Sequence, residues 1–429
     1  MKRLNKIALA FAAATSFCAP QVWADNIAIT GGTAFTMGEQ GKVENATILI
    51  EGDVIKSVKS GGSVPSGYKT IDAKGKWVTP GIIGAYTSLG LVEVEYSAGI
   101  SDYTAKLEDS DYLGTQIETK YAVNPDSSLM NLTRIEGVTS AISVMADTDT
   151  LFQGQGAFIS LGDKVNPIVK GNAVMTLDLT GSKVDDSVGS RAVVWPKLVS
   201  VLEEAASLKG KTLRKKDDWD GDLSKADVNA LVPVMKGDMP LLITVNRTID
   251  IRHVVHLKQK FEDLNIVLVQ ATEAWRVADE LAAHDIAVLL KPESNLPYDF
   301  DELGATLSNA ARLDAAGVKV VIGMDTHNAR LVLQHAGNAV AHGLPWEKGL
   351  ASITSVAAEA LGVSASHGSM EKGKSADVVV WSGDPLEVMS YAETVVIDGE
   401  EIPMTSRPSK LRDRYLKMQS DKAYRYVKP

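Results

Sequence analysis

The centre of the chain alternates apolar runs with helix-like segments, and this alternation restricts the possible folds strongly. Segments with apolar residues at three-and-four spacing, typical of amphipathic helices, separate runs typical of buried strands. The predicted strands are 137–145, 173–179, 240–246, 265–270, 286–290 and 318–324. The predicted helices are 196–206, 251–261, 273–283 and 303–315. Because such units build a parallel sheet covered by helices, we expect an α/β fold, and a closed TIM-like (β/α)8 barrel suits the length better than an open sheet.

Both ends of the chain carry short strands instead of βα units. Residues 46–50 and 54–55 flank Glu51-Gly52-Asp53, which is typical of a hairpin turn. Similar strands are predicted at 376–381 and 394–399. We therefore expect a small β-sandwich-like domain built from both chain ends. The predicted divisions are a signal peptide at 1–24, the β-domain at 25–79 and 368–405, the barrel at 80–367 and a basic tail at 406–429.

The N-terminus is typical of a secretory signal peptide. A basic start precedes an apolar run at 7–18, and Val22 and Ala24 are suitable for cleavage before Asp25. The apolar run is too short to cross a bilayer, so we expect a periplasmic protein with no membrane attachment after cleavage. Cleavage would also remove Cys18, the only cysteine, and with it thiol chemistry and disulfides. The net charge of −10 argues against nucleic acid as a partner.

Several motifs resemble the metal-dependent amidohydrolase superfamily, close to its imidazolonepropionase-like and prolidase-like members. Pro80-Gly81 before an apolar strand, and Leu89-Gly90 after it, are similar to the family's first barrel strand. Residues 368–377 resemble its return into the β-domain, Gly-Ser-x-Glu-x-Gly-Lys-x-Ala-Asp. Residues 269–274 resemble its sixth strand and 322–325 its eighth. The resemblance implies the barrel fold and hydrolase chemistry.

The same resemblance implies four metal-binding histidines at positions where this chain has other residues. These positions hold Tyr86, Ser88, Asn246 and Gln270. Neutral imidazole binds Zn²⁺ strongly, whereas amide oxygens and hydroxyls suit harder ions and bind more weakly. We therefore expect no metal ligands and no cofactor; zinc is expected only if this alignment of the strands is wrong.

Asp325 is the one functional residue of the family that is kept, and with His327 it forms the predicted catalytic pair. In the family the aspartate shuttles a proton from the attacking water. His327 is either a base or substrate contact, or a loop or helix-cap histidine. Arg247 either clamps a substrate carboxylate or pairs with a neighbouring acid. The predicted substrate-binding residues are Tyr86, Ser88, Asn246, Arg247 and Gln270.

Three functions remain open from the sequence. The first is an exported barrel with a degraded metal site. It binds a small amide, peptide-like or carboxylate ligand, or it supports a catalytic amidohydrolase partner. Its expected protein partners are an amidohydrolase or a second copy of the chain in a homo-oligomer. The second is an active hydrolase of non-peptide C–N or dipeptide bonds that uses Asp325. The third is a structural role of the basic tail after Pro408. The first is favoured because the framing motifs are kept while the ligand positions differ.

Overall fold

The computed structural model describes residues 26–94, 98–106, 113–323 and 327–416. The strands are β1 (Ile27–Phe35), β2 (Lys42–Glu51), β3 (Val54–Ser60), β4 (Lys69–Asp72), β5 (Trp77–Pro80), β6 (Ile82–Thr87), β7 (Val92–Val94), β8 (Ala98–Ser101), β9 (Thr104–Ala105), β10 (Val138–Ser143), β11 (Asp147–Thr148), β12 (Phe152–Ser160), β13 (Ile168–Asp178), β14 (Leu241–Val245), β15 (Ile266–Gln270), β16 (Ala287–Leu290), β17 (Val320–Ile322), β18 (Val378–Trp381), β19 (Ala392–Ile397) and β20 (Glu400–Glu401). The α-helices are α1 (Ser128–Arg134), α2 (Gly181–Val188), α3 (Arg191–Ser207), α4 (Lys225–Met235), α5 (Thr248–Lys260), α6 (Ala278–Ala283), α7 (Asn309–Ala315), α8 (Val332–Ala341), α9 (Trp346–Ala351), α10 (Ser355–Ala360) and α11 (Arg407–Leu416). Single turns of 3-10 helix lie at Thr119–Tyr121, Ala274–Val277, Phe300–Glu302 and Ala329–Leu331. The predicted signal peptide, Asp325 and the tail beyond Leu416 lie outside the described residues.

One eight-stranded sheet forms the barrel, in the order β17-β16-β15-β14-β13-β12-β10-β6. Its strands run parallel apart from β12, which pairs antiparallel with β10 and β13. Every residue of β6, β10 and β14 is buried, as expected of strands covered on both faces. The predicted α/β class and TIM-like barrel are confirmed, with one strand reversed.

The two edge strands of this sheet, β6 and β17, approach each other and nearly close the barrel. A Cβ atom on Gly323, just after β17, would lie 3.1 Å from Ala85 Cβ of β6. Near this contact, Ile83 N–H donates to Ile353 O at 2.9 Å and Ile322 N–H donates to Ser352 O at 3.1 Å. The 352–353 segment thus hydrogen-bonds to both edge strands.

The sequence pattern does not predict the reversed strand β12, because glycines interrupt its apolar run. A Cβ atom on Gly154 would lie 2.5 Å from Ile117 Cβ, and one on Gly156 would lie 2.7 Å from Val144 Cγ1. All residues of β12 are buried, so close packing leaves no space for side chains at these two positions. Because β12 is reversed, its first residues lie at the barrel end where the parallel strands finish.

The second sheet joins the two ends of the chain. Its order is β20-β19-β18-β5-β1-β2-β3, with β4 paired to β1. Antiparallel pairing of β5 with β18 connects the N-terminal and C-terminal pieces. The predicted hairpin is present, because Glu51 pairs with Val54 and Gly52 has a left-handed φ of 61°. A β-rich domain built from both chain ends is therefore confirmed.

Trp381, the last residue of β18, packs this sheet against the base of the barrel. Its side chain is 1% exposed, and its indole N–H donates to Thr79 Oγ1 at 2.9 Å. A Cβ atom on Gly137, just before β10, would lie 2.3 Å from Trp381 Cη2. The indole therefore occupies the space where a larger residue at position 137 would lie.

The predicted basic tail begins with α11, in which no residue is buried. Across the described parts of the chain, none of the helices is long and apolar enough to cross a membrane.

Candidate functional site

A cavity of about 370 Å³ opens at the barrel end where the parallel strands finish. Tyr86 near the end of β6, Asp178 at the end of β13 and Gln270 at the end of β15 all line it. Lys291, directly after β16, also lines the cavity. The C-terminal ends of barrel strands are where ligand sites form in this architecture, so this cavity is the candidate functional site.

Asn246, which follows β14, is hydrogen-bonded at both ends of its side-chain amide. Its Nδ2 donates to Gln270 Oε1 and to Glu302 Oε1, each at 3.1 Å. Its Oδ1 accepts from the Thr272 backbone N–H at 3.3 Å and from the Thr272 hydroxyl at 3.0 Å. Asn246 therefore ties two neighbouring strand ends to the segment after β16.

Gln270 has a strained backbone at the cavity wall. Gln270 and Ala271 both have positive φ angles, 65° and 44°, which residues with a Cβ rarely adopt. Such conformations cost about 1–3 kcal/mol each and persist where the surroundings fix them. Asn309 Nδ2 donates to Ala271 O at 3.2 Å and thereby holds the turn. Strain of this kind is common at functional sites.

The side chains of Tyr86 and Ser88 have different surroundings, although Tyr86 lies in β6 and Ser88 directly follows this strand. The Tyr86 hydroxyl donates to Gln153 Oε1 at 3.5 Å, and Gln153 also lines the cavity. Gln153 lies near the start of β12, so the reversed strand supplies this contact. Ser88 is buried in the turn after β6 and is outside the cavity lining among the described residues.

Arg247 belongs to an ion-pair cluster beside the cavity. Its guanidinium donates to both carboxylate oxygens of Asp250, at 2.7 and 3.2 Å, and this bonding raises the pKa of Arg247. Arg191 Nε lies 3.1 Å from the same carboxylate, and Asp301 pairs with both arginines. Of the two roles predicted for Arg247, the structure shows the pairing with a neighbouring acid.

Residues 291–304, called the mouth loop below, extend from β16 over the cavity. Glu302 fixes this loop, because one of its carboxylate oxygens accepts from Asn246 and the other accepts from the Tyr298 backbone N–H at 3.1 Å. Leu296 and Tyr298 line the cavity from the loop.

The predicted catalytic pair is described only in part. His327 is half-buried, and its Nε2 lies 3.1 Å from Asn328 Nδ2. Asp325 lies outside the described residues, so the geometry of the pair stays a prediction.

Asp178 and Lys291 are charged residues of the cavity that the sequence analysis missed. Burial raises the pKa of Asp178, while the Thr180 backbone N–H, which donates to Oδ1 at 2.9 Å, opposes that shift. Lys291 is exposed, and its ammonium group makes no ion pair or hydrogen bond with the described residues. Each lies at the C-terminal end of a predicted strand. A polar residue at such a position is therefore the sequence feature that would have predicted both Asp178 and Lys291 as site residues.

Comparisons with known proteins agree with this architecture. The model of the Amidohydrolase family matches residues 242–402. A 5-methylthioadenosine/S-adenosylhomocysteine deaminase of Bacillus cereus is 26% identical over 397 residues, which cover 81% of this chain and 83% of the relative. A solved amidohydrolase from Thermotoga maritima MSB8 superposes with a TM-score of 0.75 at 23% identity, over 88% of this chain and 99% of that one. The chain is similar in sequence to the Amidohydrolase family over residues 242–402, and its fold is similar to that of a solved amidohydrolase. A Xaa-Pro dipeptidase structure with bound methionine superposes with a TM-score of 0.56 at 15% identity, over 88% of this chain and 99% of that one.

Members of the amidohydrolase superfamily hold a divalent metal ion at the strand ends, and the corresponding residues of this chain do not fit zinc. Tyr86, Ser88, Asn246 and Gln270 offer hydroxyl and amide groups instead of imidazole. The Asn246 amide oxygen already accepts two hydrogen bonds, and that of Gln270 accepts one. Within residues 26–94, 98–106, 113–323 and 327–416, no three His, Cys, Asp or Glu side chains group as a metal site would require.

The substitution Asp178→Asn tests the raised pKa of this carboxyl. The folded protein holds the proton to a higher pH than the unfolded chain, because burial favours the neutral acid. Stability is therefore lost as the pH rises from about 4, the unfolded value, through the folded pKa. We expect the variant, which keeps an acceptor for Thr180 N–H, to lose less stability than wild type between about pH 4 and pH 7 in urea unfolding.

The substitution Asp217→Asn is a control, because the pKa of Asp217 is shifted in the opposite direction to that of Asp178. The hydrogen bond from Arg214 lowers the pKa of the exposed Asp217 carboxyl, so this group gives a small stability that is lost as the pH falls. Identical pH slopes for wild type and Asp178→Asn would contradict the raised pKa of Asp178.

Proposed function

We propose that this chain binds a small amide or peptide-like molecule that carries a carboxylate, and that it does so without a metal ion. Lys291 is the observation that carries the proposal. It places a positive charge on the cavity wall, and among the described residues no acid pairs with it. The Glu302 carboxylate in the same wall is already occupied by Asn246 and by the Tyr298 N–H. Lys291 is therefore available for a ligand carboxylate, which it would bind by a charge-assisted hydrogen bond.

Neutral groups of the same cavity suit the amide part of such a ligand. Gln153 and Gln270 carry donors and acceptors, and both line the cavity. Burial raises the pKa of Asp178, and when this carboxyl is protonated it can donate a hydrogen bond to a ligand carbonyl. A positive group and neutral amides on one wall match a carboxylate and an amide in one molecule.

Lys291→Gln tests the proposed contact. N-acyl amino acids and dipeptides would be titrated calorimetrically against wild type and variant, beside the same compounds with an amidated C-terminus. A hydrogen bond to a charged group contributes about 1.5–3 kcal/mol, so we expect affinity for the free carboxylates to fall by about tenfold or more. The amidated compounds should bind wild type and variant equally.

Two further variants make the Lys291 experiment specific. Lys291→Arg keeps the charge and should retain part of the affinity. Lys372→Gln removes an exposed charge in the β-domain and should leave binding unchanged. If wild type binds the free and amidated compounds equally well, the proposed carboxylate contact is wrong.

A second candidate function is hydrolysis of C–N bonds, and two observations support it. The relatives from Bacillus cereus are named deaminases. The raised pKa of Asp178 suits a proton donor to a leaving nitrogen. If the dipeptide panel is hydrolysed, Asp325→Asn should reduce kcat by about 10²-fold or more, as expected when general acid–base catalysis is lost. A hydrolysis rate that this substitution leaves unchanged would exclude the predicted role of Asp325.

We also propose that the chain is exported to the periplasm. The support is the basic start followed by the apolar run at 7–18 and a cleavage site before Asp25. The mass of the protein purified from its native host should correspond to a chain that begins at Asp25. A mass that includes residues 1–24 would contradict export by cleavage.

A further inference from the structure

The mouth loop carries four large apolar side chains that are exposed. Leu296 is 81% exposed, Tyr298 94%, Phe300 88% and Leu303 61%. Single exposed apolar residues are ordinary on a protein surface, but four within eight residues at the entrance to a cavity form a patch. Such patches occur where a ligand or a partner is bound.

Two of these four side chains belong to the cavity itself. Leu296 and Tyr298 line it, whereas Phe300 and Leu303 are outside its lining among the described residues. The buried side chains of Val269 and Leu289 line the same cavity and are 3% and 1% exposed. The cavity therefore has an apolar floor in addition to an apolar rim.

The second half of the mouth loop is attached to the barrel, which holds the rim in place. The Gly304 N–H donates to Glu273 Oε1 at 2.9 Å, and the Trp275 indole N–H donates to Gly304 O at 2.8 Å. The Tyr298 N–H donates to Glu302, which also accepts from Asn246. An apolar surface fixed in this way loses less conformational freedom on binding than a free loop would.

From this arrangement we infer that the ligand carries a bulky apolar group next to its carboxylate and amide, and that Leu296 and Tyr298 select for this group. The inference rests on the proposed binding function and narrows its ligands to hydrophobic N-acyl amino acids and dipeptides. Lys291, which begins the loop, lies five residues before Leu296, so one loop supplies the contact for the charge and the contact for the apolar group.

A matched pair of probes separates the two contacts. N-acetyl-L-leucine and N-acetylglycine share the carboxylate and the amide and differ by one isobutyl group. We expect calorimetry to show that wild type binds the leucine compound about tenfold or more tightly, the range for small apolar groups in a hydrophobic pocket. In the double variant Leu296→Ser/Tyr298→Ser this preference should fall towards onefold, while the affinity for N-acetylglycine stays within about twofold of wild type.

Phe300→Ser is the matched control, because Phe300 is equally exposed on the same loop but lies outside the cavity lining. It should keep the wild-type preference. Lys291→Gln should weaken both probes by the same factor. These substitutions are at exposed positions, so their effects on folding are small.

The outcomes distinguish this inference from the proposed function. If wild type binds both probes with equal affinity, or if the double variant keeps the preference for leucine, the selection by Leu296 and Tyr298 is wrong and the carboxylate contact stands. If wild type binds neither probe, the proposed function is wrong and the inference fails with it.

Discussion

The hydrogen bonds of the Asn246 side chain hold the candidate site together. One amide group joins the end of β15, through Gln270, to the mouth loop, through Glu302. Its oxygen is engaged by Thr272, so the same bonds that fix the strand ends also occupy a lone pair that a metal ion would need. An amide at this position therefore favours a fixed hydrogen-bond network over a cation site.

The barrel fold determines the positions of the side chains at the candidate site but not their chemistry. Parallel strands bring the residues at their C-terminal ends to one rim. The reversed strand β12 adds Gln153, which lies near its N-terminal end. Packing of Trp381 against the base of the barrel leaves the opposite end open for the cavity. The barrel fold thus gives the place of the candidate site, while the residues at the strand ends decide its chemistry.

Apolar periodicity predicts the barrel well because buried parallel strands are nearly continuous apolar runs. The strand from Leu241 to Val245 lies within its predicted bounds, and Gln270 lies at the cavity as an end-of-strand residue should. The method fails for β12, where close packing requires Gly154 and Gly156 and so removes the periodicity. Apolar periodicity also leaves the role of Arg247 undecided, because Asp250 comes within hydrogen-bonding distance of Arg247 only when helix α5 forms.

Site chemistry is harder to predict because charge and burial depend on contacts that are distant in sequence. Asp178 and Lys291 follow ordinary apolar strands, and only the fold brings both into one cavity. The raised pKa of Asp178 comes from burial by the surrounding strands and is not encoded by its neighbours in the chain. The resemblance to active hydrolases predicts site residues at the histidine positions, and these two residues are not among them.

We propose that the barrel binds its ligand without a metal ion, and the metal content of the protein tests this proposal. Native, untagged protein would be purified without chelators or added metals, and its divalent metals would be measured by elemental analysis against protein concentration. We expect no stoichiometric metal, because the side chains of Tyr86, Ser88, Asn246 and Gln270 offer amide and hydroxyl groups instead of imidazole. One or two equivalents of zinc or a similar ion would contradict it and would place metal ligands at other residues.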